Sequence, residues 1–471
     1  MKSFTEADTE LFYDKEDSLY RSFWDENGSL HWGYYDQLDH LDSSSFVEAC
    51  QRWNKLMLEK STIDSSSYVL DIGCGNGNTA IWLSENTGCK VVGVDLSEVR
   101  IANAVELAAR HPRARVEFYK ASATDLPFSN GCFTHVWSQA TFYHVHALKS
   151  ALQEVNRVLV EGGSFIFDDL TTPRLDISEK TKKHVYERLL FSPTFTADEY
   201  ARCLNTLGLL VVEDIDLNEH LYKSYVALSQ LAADKYPELT DAYHHMQAAI
   251  NSSELGWHFY HCTKVSDRLA WIYREDSSTS LQEKYAIWSR SYDADLFETY
   301  RASPLASAQC LAQHLCDQKA AIADIGAGTG MVGEALAELG YCNISAIDFS
   351  APMLKVAANK GVYHSIDLAD IQAPLPLSAA YDAMIAVGVF TFSHAKPTAL
   401  LNLDPLLKPG GYFVLTVRED YYCNDSSLQN TLDKLNWQLV SNKSIHIFAD
   451  ESMNILVFKK WLTNDLLKGE R

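Results

Sequence analysis

Asp71, Gly73, Gly75 and Gly77 set a carboxylate two residues ahead of three alternating glycines, and Asp324, Gly326, Gly328 and Gly330 repeat the arrangement. Glycines at this spacing let a chain leave a strand, turn sharply and bring N–H groups and a helix N-terminus against a ligand that a Cβ would push away. Downstream, Asp95 in VVGVDLS and Asp348 in ISAIDFS close the next apolar run, where an acid can accept hydrogen bonds from both hydroxyls of a ribose. The separation of Asp71 from Asp324 equals that of Asp95 from Asp348. His144 in ATFYHVH is echoed by His394 in FTFSHA, and Gly162 in LVEGGSF by Gly410 in LKPGGYF. One plan is written twice.

Such a loop fits either a nicotinamide dinucleotide or S-adenosylmethionine. A dinucleotide calls for G-x-G-x-x-G, with the helix dipole directed at a pyrophosphate. Here the spacing is G-x-G-x-G, and Asp71 and Asp324 would repel a pyrophosphate, whereas either carboxylate can bind the ammonium of a methionine moiety, directly or through water. The spacing and the acids favour S-adenosylmethionine, once in each half.

Short apolar runs alternating with helical stretches predict a doubly wound α/β sheet in each half. In the first half the expected strands are 69–72, 91–94, 116–119, 133–138 and 164–167, followed by LLVVEDIDL and GWHFYHCTKV. In the second they are 322–325, 344–347, 381–386 and 412–417, followed by WQLVSNKSIHIF and MNILVFKKW. The two late strands of each half predict an edge hairpin. A first domain over 1–275, a polar linker at 276–284 within REDSSTSLQEK and a second domain over 285–471 follow from the repeat. A helical insertion at about 218–255 could roof the first pocket or dock the second half.

The 471 residues include 40 Lys plus Arg against 62 Asp plus Glu, a net charge of −22. With no basic stripe to offset that field, nucleic acid and anionic membranes are disfavoured as partners, and small molecules are not. No apolar run reaches the roughly 18 residues of a membrane span, and the acidic start lacks a secretion signal, so a cytoplasmic protein is expected. The 10 cysteines show no metal-like spacing, and neither zinc nor disulfides are expected.

The segments VLDIGCGNG, GVDLS, ASATDLPF and NRVLVEGGSFIFDDL, with IADIGAGTG, AIDFS, SIDLADI and LLKPGGYFVLTVRED, resemble class I S-adenosylmethionine-dependent methyltransferases in tandem. The resemblance implies two Rossmann-like domains, each a mostly parallel seven-stranded sheet with helices on both faces. It also implies adenine contacts from Asp367 in the second half and from Ser122 and Ala123 in the first, Ser122 being a departure from the family's acid. Leu96, Gln139 and Tyr20 are further assigned to the first cofactor site, and Phe349 and Val387 to the second.

The tyrosine-rich leader FYDKEDSLYRSFWDENGSLHWGYYD, with VWSQATFYH and FIFDDL, is similar to sarcosine and dimethylglycine N-methyltransferases, and more loosely to tocopherol and cyclopropane-forming enzymes. The second half resembles the Williams-Beuren-region methyltransferase-like proteins through VGVFTFSH and FVLTVRED. The tandem arrangement is similar to that of plant phosphoethanolamine N-methyltransferases.

Aromatic faces can hold a sulfonium or quaternary ammonium without a nucleophilic acid. Tyr13, Trp24, Tyr34, Tyr285 and Tyr292 are therefore assigned to substrate. An amine must arrive neutral, and His144 and His31 are the candidates to orient or deprotonate it, although a histidine among aromatics also serves as a packed core residue. A substrate carboxylate would need an arginine, for which Arg21, Arg174 and Arg188 are candidates. The expected activity is two methylations of a small molecule, preferably at an amine or amino-acid nitrogen. The alternatives are carbon or oxygen methylation of a quinone, isoprenoid or polyketide-like molecule, or a second half that serves a regulatory or structural role.

Overall fold

The computed structural model describes residues 4–23, 31–36, 43–193, 195–273, 280–300, 302–375, 381–391, 394–424, 426–448 and 451–462. The chain divides into two units, Met1–Ser266 and Asp267–Arg471.

In the first unit the apolar runs form β1 (Tyr68–Ile72), β2 (Lys90–Asp95), β3 (Arg115–Lys120), β4 (Phe133–Gln139), β5 (Leu159–Thr171), β6 (Leu209–Asp216) and β7 (Gly256–Lys264). They make one sheet in the order β3-β2-β1-β4-β5-β7-β6. The first five strands are parallel, and β7 runs antiparallel to both β5 and β6. The central strands carry buried residues on both faces, as a parallel sheet covered by helices requires. One face packs Val69, Val91, Trp137 and Ile166 into one core, and the other packs Leu70, Val92, Val136 and Phe165 into a second.

The second unit repeats the plan with β8 (Ile322–Ile325), β9 (Ile344–Asp348), β10 (Ser365–Leu368), β11 (Tyr381–Ala386), β12 (Leu407–Arg418), β13 (Trp437–Phe448) and β14 (Glu451–Lys460). Their order is β10-β9-β8-β11-β12-β14-β13. β10 had no place among the expected strands because it is an edge strand, partly exposed throughout, with no run of buried apolar residues to announce it.

The units divide before the polar stretch expected to be the linker. The helix Arg268–Tyr273 belongs with the second unit: Ile272 packs with Trp288 and Leu296, and Arg268 pairs with Asp295 at 2.9 Å. Lys284 Nζ donates to the Trp271 carbonyl at 2.9 Å. Ser280 closes a capping box with Glu283 and starts the helix Leu281–Trp288 inside the expected linker.

The insertion folds as the helices Asn218–Ala232 and Pro237–Asn251, packed on each other. It anchors the leader: Ser224 Oγ accepts from Gly33 N at 3.1 Å, and His220 Nδ1 from Tyr35 N at 3.0 Å. Among the described residues no helix is long and apolar enough to cross a membrane, and no cluster of three His, Cys, Asp or Glu could hold a metal.

Candidate active site

In each unit a cleft opens at the carboxyl ends of the parallel strands, where the glycine loop leaves the first strand. The first has a volume of about 1080 Å³, mouth included, and is lined by Asp71, Gly73, Gly75, Asp95, Leu96, Ala123, Gln139, His144, His31 and Tyr13. The loop passes so close to the next segment that a Cβ on Gly73 would lie 2.1 Å from Thr141 Oγ1. Asp95 holds the loop, Oδ2 accepting from Gly75 N at 3.0 Å and Oδ1 from Ser97 N at 2.9 Å. Each of these oxygens keeps a second lone pair for a ligand hydroxyl.

Asp71 is buried behind the loop. Burial pushes its carboxyl up to about 8, and the charge of Asp95 adds to the effect. Its Oδ2 has no hydrogen-bond partner among the described residues. A buried acid with an unused oxygen in a cleft wall is suited to a cation.

His144 is brought in by the turn after β4. Ala140 takes a left-handed φ of 50° and its N–H donates to Asp168 Oδ1 at 3.2 Å, while Tyr143 N donates to Asp169 Oδ1 at 2.9 Å. Asp168 also accepts from the indoles of Trp53 at 2.7 Å and Trp257 at 3.0 Å. Two adjacent buried carboxylates thus shape the loop that presents the imidazole. Tyr13 from the leader helix Glu6–Phe23 meets His144 Nε2 at 2.5 Å. Burial, then the nearby Arg100 guanidinium, pushes His144 down to about 3. The ring is neutral; Tyr13 holds its Nε2, and Nδ1 is buried with no hydrogen-bond partner among the described residues. Such an imidazole is a weak base. Arg100 lies 6% exposed in the cleft with its guanidinium 3.9 Å from the Tyr13 ring centre.

The second cleft, about 1290 Å³, is lined by Tyr285, Tyr292, Gly326, Gly328, Asp348, Phe349, Val387, Asp370 and His394. Asp348 repeats the role of Asp95, accepting from Gly328 N and from Ser350 N, each at 2.8 Å. Tyr285 meets His394 Nε2 at 2.6 Å, so the tyrosine–histidine pair of the first cleft recurs. Burial raises Asp324 to about 7, less than Asp71, because the Tyr363 hydroxyl donates to its Oδ2 at 2.7 Å. Asp324 Oδ1 has no partner among the described residues, and the residue, fully buried, stands behind the cleft and not in its lining. Met353 lines this cleft three residues after Ser350, as Arg100 follows Ser97.

The remaining expected residues divide between the clefts and their surroundings. Gly77 and Gly330 sit at the starts of the helices behind the loops. Tyr34 stacks on His220 at 4.1 Å, in the aromatic layer over the insertion and not in the cleft. His31 Nδ1 bonds the Trp32 carbonyl at 3.1 Å. Tyr20 falls in the leader helix with its side chain outside the described residues, as are Trp24 and the side chain of Arg21. Arg174 pairs with Glu254 at 2.9 Å and Arg188 lies over Tyr243. Asp367 sits inside β10 opposite Ile347. Asp95 faces Lys120 and Asp348 faces Leu368, so the register equivalent of Ser122 is Asp370, which lines the cleft. Gln139 is fixed in the first cleft, its Oε1 accepting from Trp137 at 3.2 Å and its Nε2 donating to Asn54 at 2.9 Å.

A methyltransferase-domain family model matches residues 70–167 and 323–415, the strands and loops that build the two clefts. The sarcosine/dimethylglycine N-methyltransferase of Halorhodospira halochloris is 30% identical over 216 residues, spanning 45% of this chain and 74% of that one. The chain belongs to the S-adenosylmethionine-dependent methyltransferases. The (+)-O-methylkolavelool synthase of Herpetosiphon aurantiacus is 27% identical over 238 residues, spanning 50% of this chain and 82% of that one. A geranyl diphosphate C-methyltransferase structure from Streptomyces coelicolor, in complex with S-adenosyl-L-homocysteine, has a TM-score of 0.48 at 16% identity, covering 55% of this chain and 98% of that one. This methyltransferase therefore has curated relatives named for N-methylation and for an O-methylated product. Its residues fit the cofactor: Asp71, in the lining of the first cleft with an unused oxygen, suits the ammonium, and Asp95 and Asp348 suit the ribose.

Proposed function

We propose that the chain is bifunctional, each unit binding S-adenosylmethionine and methylating a small molecule, with an amine or amino-acid nitrogen as the acceptor of the first unit. The observation that carries the reading is the pair Tyr13–His144 and its copy Tyr285–His394. A unit kept only as scaffold has no need of it, which weighs against a purely regulatory second half.

The bound cofactor supplies an electrophilic methyl group, and the chain's task is to hold an acceptor in line with it in a water-poor cleft. In the first unit, Tyr13 fixes the His144 ring in the cleft wall, and the Gln139 amide orients a polar acceptor. Arg100 offers a guanidinium to a carboxylate. These groups suit an amino acid whose nitrogen arrives neutral.

The second cleft supports a different acceptor. With Met353 where the first has Arg100, and with Leu281, Ile371 and Val389 in its lining, it favours an apolar molecule methylated at oxygen or carbon. Methyl transfer by the full chain to glycine, sarcosine, dimethylglycine and phosphoethanolamine, repeated with Asp95→Ala and Asp348→Ala, tests the assignment. The reading expects amine turnover that Asp95→Ala abolishes and Asp348→Ala spares; no turnover on any amine would end the nitrogen assignment.

A further inference from the structure

An adenine presents an exocyclic amine that needs an acceptor. In the second cleft Asp370, the first acid after β10, stands in the lining. In the first unit its register equivalent is Ser122, which stands between the cleft-lining Ala121 and Ala123 and is not itself in the lining, and whose hydroxyl offers less than a carboxylate to an amine. That hydroxyl donates to Glu6 Oε1 at 2.6 Å, and Thr124 Oγ1 donates to the same oxygen at 3.1 Å. Glu6 belongs to the leader helix and lines the cleft.

We infer that Glu6 is the adenine-recognising acid of the first unit, supplied by the leader in place of the strand-end acid that Ser122 replaces. This rests on the first cleft holding the cofactor. Glu6 Oε1 is anchored by the two hydroxyls, which leaves the rest of the carboxylate to accept from the amine. Placement of the helix is independent of Glu6. Glu10 pairs with Lys120 at 2.6 Å, Asp14 accepts from Ser97 Oγ at 2.6 Å, and Tyr13 meets His144. Residues 6, 10 and 14 recur at the spacing of one helix face, so the contacts that seat the leader also hold Glu6 at the base. The second unit needs no such device because Asp370 comes from its own sheet.

The test uses the full chain with Asp348→Ala, which leaves the first site to be read alone, and compares S-adenosylhomocysteine with S-inosylhomocysteine, in which a carbonyl replaces the amine. A carboxylate facing that carbonyl loses a charge-assisted hydrogen bond and meets repulsion, so the parent is expected to prefer the adenosyl ligand by about 10- to 100-fold. Glu6→Ala is expected to cut adenosyl binding about tenfold or more and to reduce the preference to within about threefold. Retention of the full preference in Glu6→Ala would overturn the inference. Asp95→Ala in the same background tests the underlying reading separately: it should remove binding of both ligands, and persistence of binding would mean that the first cleft is not the cofactor site. Asp370→Asn in an Asp95→Ala chain is the mirror control, expected to weaken the preference at the second site. Thermal melting confirms that each variant is folded.

Discussion

If Asp71 and Asp324 meet the cofactor's ammonium, as proposed from their buried, unused oxygens, cofactor binding should be coupled to proton release, because both acids are buried and raised. Asp71 stands at about 8 and Asp324 at about 7 in the free protein. Pairing with a cation returns each towards the ordinary carboxylate range, so the bound state holds fewer protons. Affinity is therefore highest above the free-state value and is lost as pH falls through it. From the two values, S-adenosylhomocysteine affinity at pH 6 should lie about 100-fold below its limit at the first site and about tenfold below it at the second. Between pH 6 and 7, below the titration of the ligand's amine, the rise should be about tenfold at the first site and about fivefold at the second. Calorimetry in buffers of differing ionisation enthalpy, with the first site read in Asp348→Ala and the second in Asp95→Ala, measures both slopes and the protons released. Asp71→Asn should flatten the first profile and Asp324→Asn the second. Equal affinities at pH 6 and 7 in the parent, or an unchanged slope in the asparagine variants, would refute the reasoning.

Tyr13→Phe removes the partner of the buried His144 Nε2, a loss of about 1–3 kcal/mol, and should lower kcat/KM of the first unit's reaction roughly 5- to 150-fold, with Tyr285→Phe acting only on the second; steady-state assays with each unit's substrate check this. Arg100→Met, which gives the first cleft the residue of the second, should raise KM for a carboxylate-bearing acceptor about tenfold or more and leave a neutral acceptor unaffected. Gly77 combines a φ of +81° with a Phe118 ring carbon only 2.7 Å from where a Cβ would stand. Gly77→Ala should therefore cost about 1–3 kcal/mol, read as a lower urea midpoint.

Much of this was legible because a parallel sheet buried on both faces writes its strands as unbroken apolar runs, and because the repeat made each half a check on the other. The glycine loops and the acids Asp95 and Asp348 follow from local spacing alone, since strand, turn and next strand are consecutive in the chain. What resisted reading depends on contacts between distant segments. Glu6 and Arg100 reach the first cleft from a leader helix and from the helix after β2, Tyr363 reaches the buried Asp324 from the loop before β10, and no local pattern marks them. His394 was visible as the echo of His144, but its pairing with Tyr285 was not. The displacement from Asp367 to Asp370 has a plain cause: β10 is an exposed edge strand whose end cannot be placed from hydrophobicity, and the ladder with β9 fixes it. Tyr34 stands outside the cleft because the leader's second segment turns towards the insertion, where Ser224 and His220 capture its backbone.

The central claim is that each unit holds its own cofactor. Titration of the intact chain with S-adenosylhomocysteine in a calorimeter tests it most directly: the account predicts two ligands bound per chain, one lost with Asp95→Ala and the other with Asp348→Ala. A single ligand per chain, or a stoichiometry unchanged by either substitution, would contradict it.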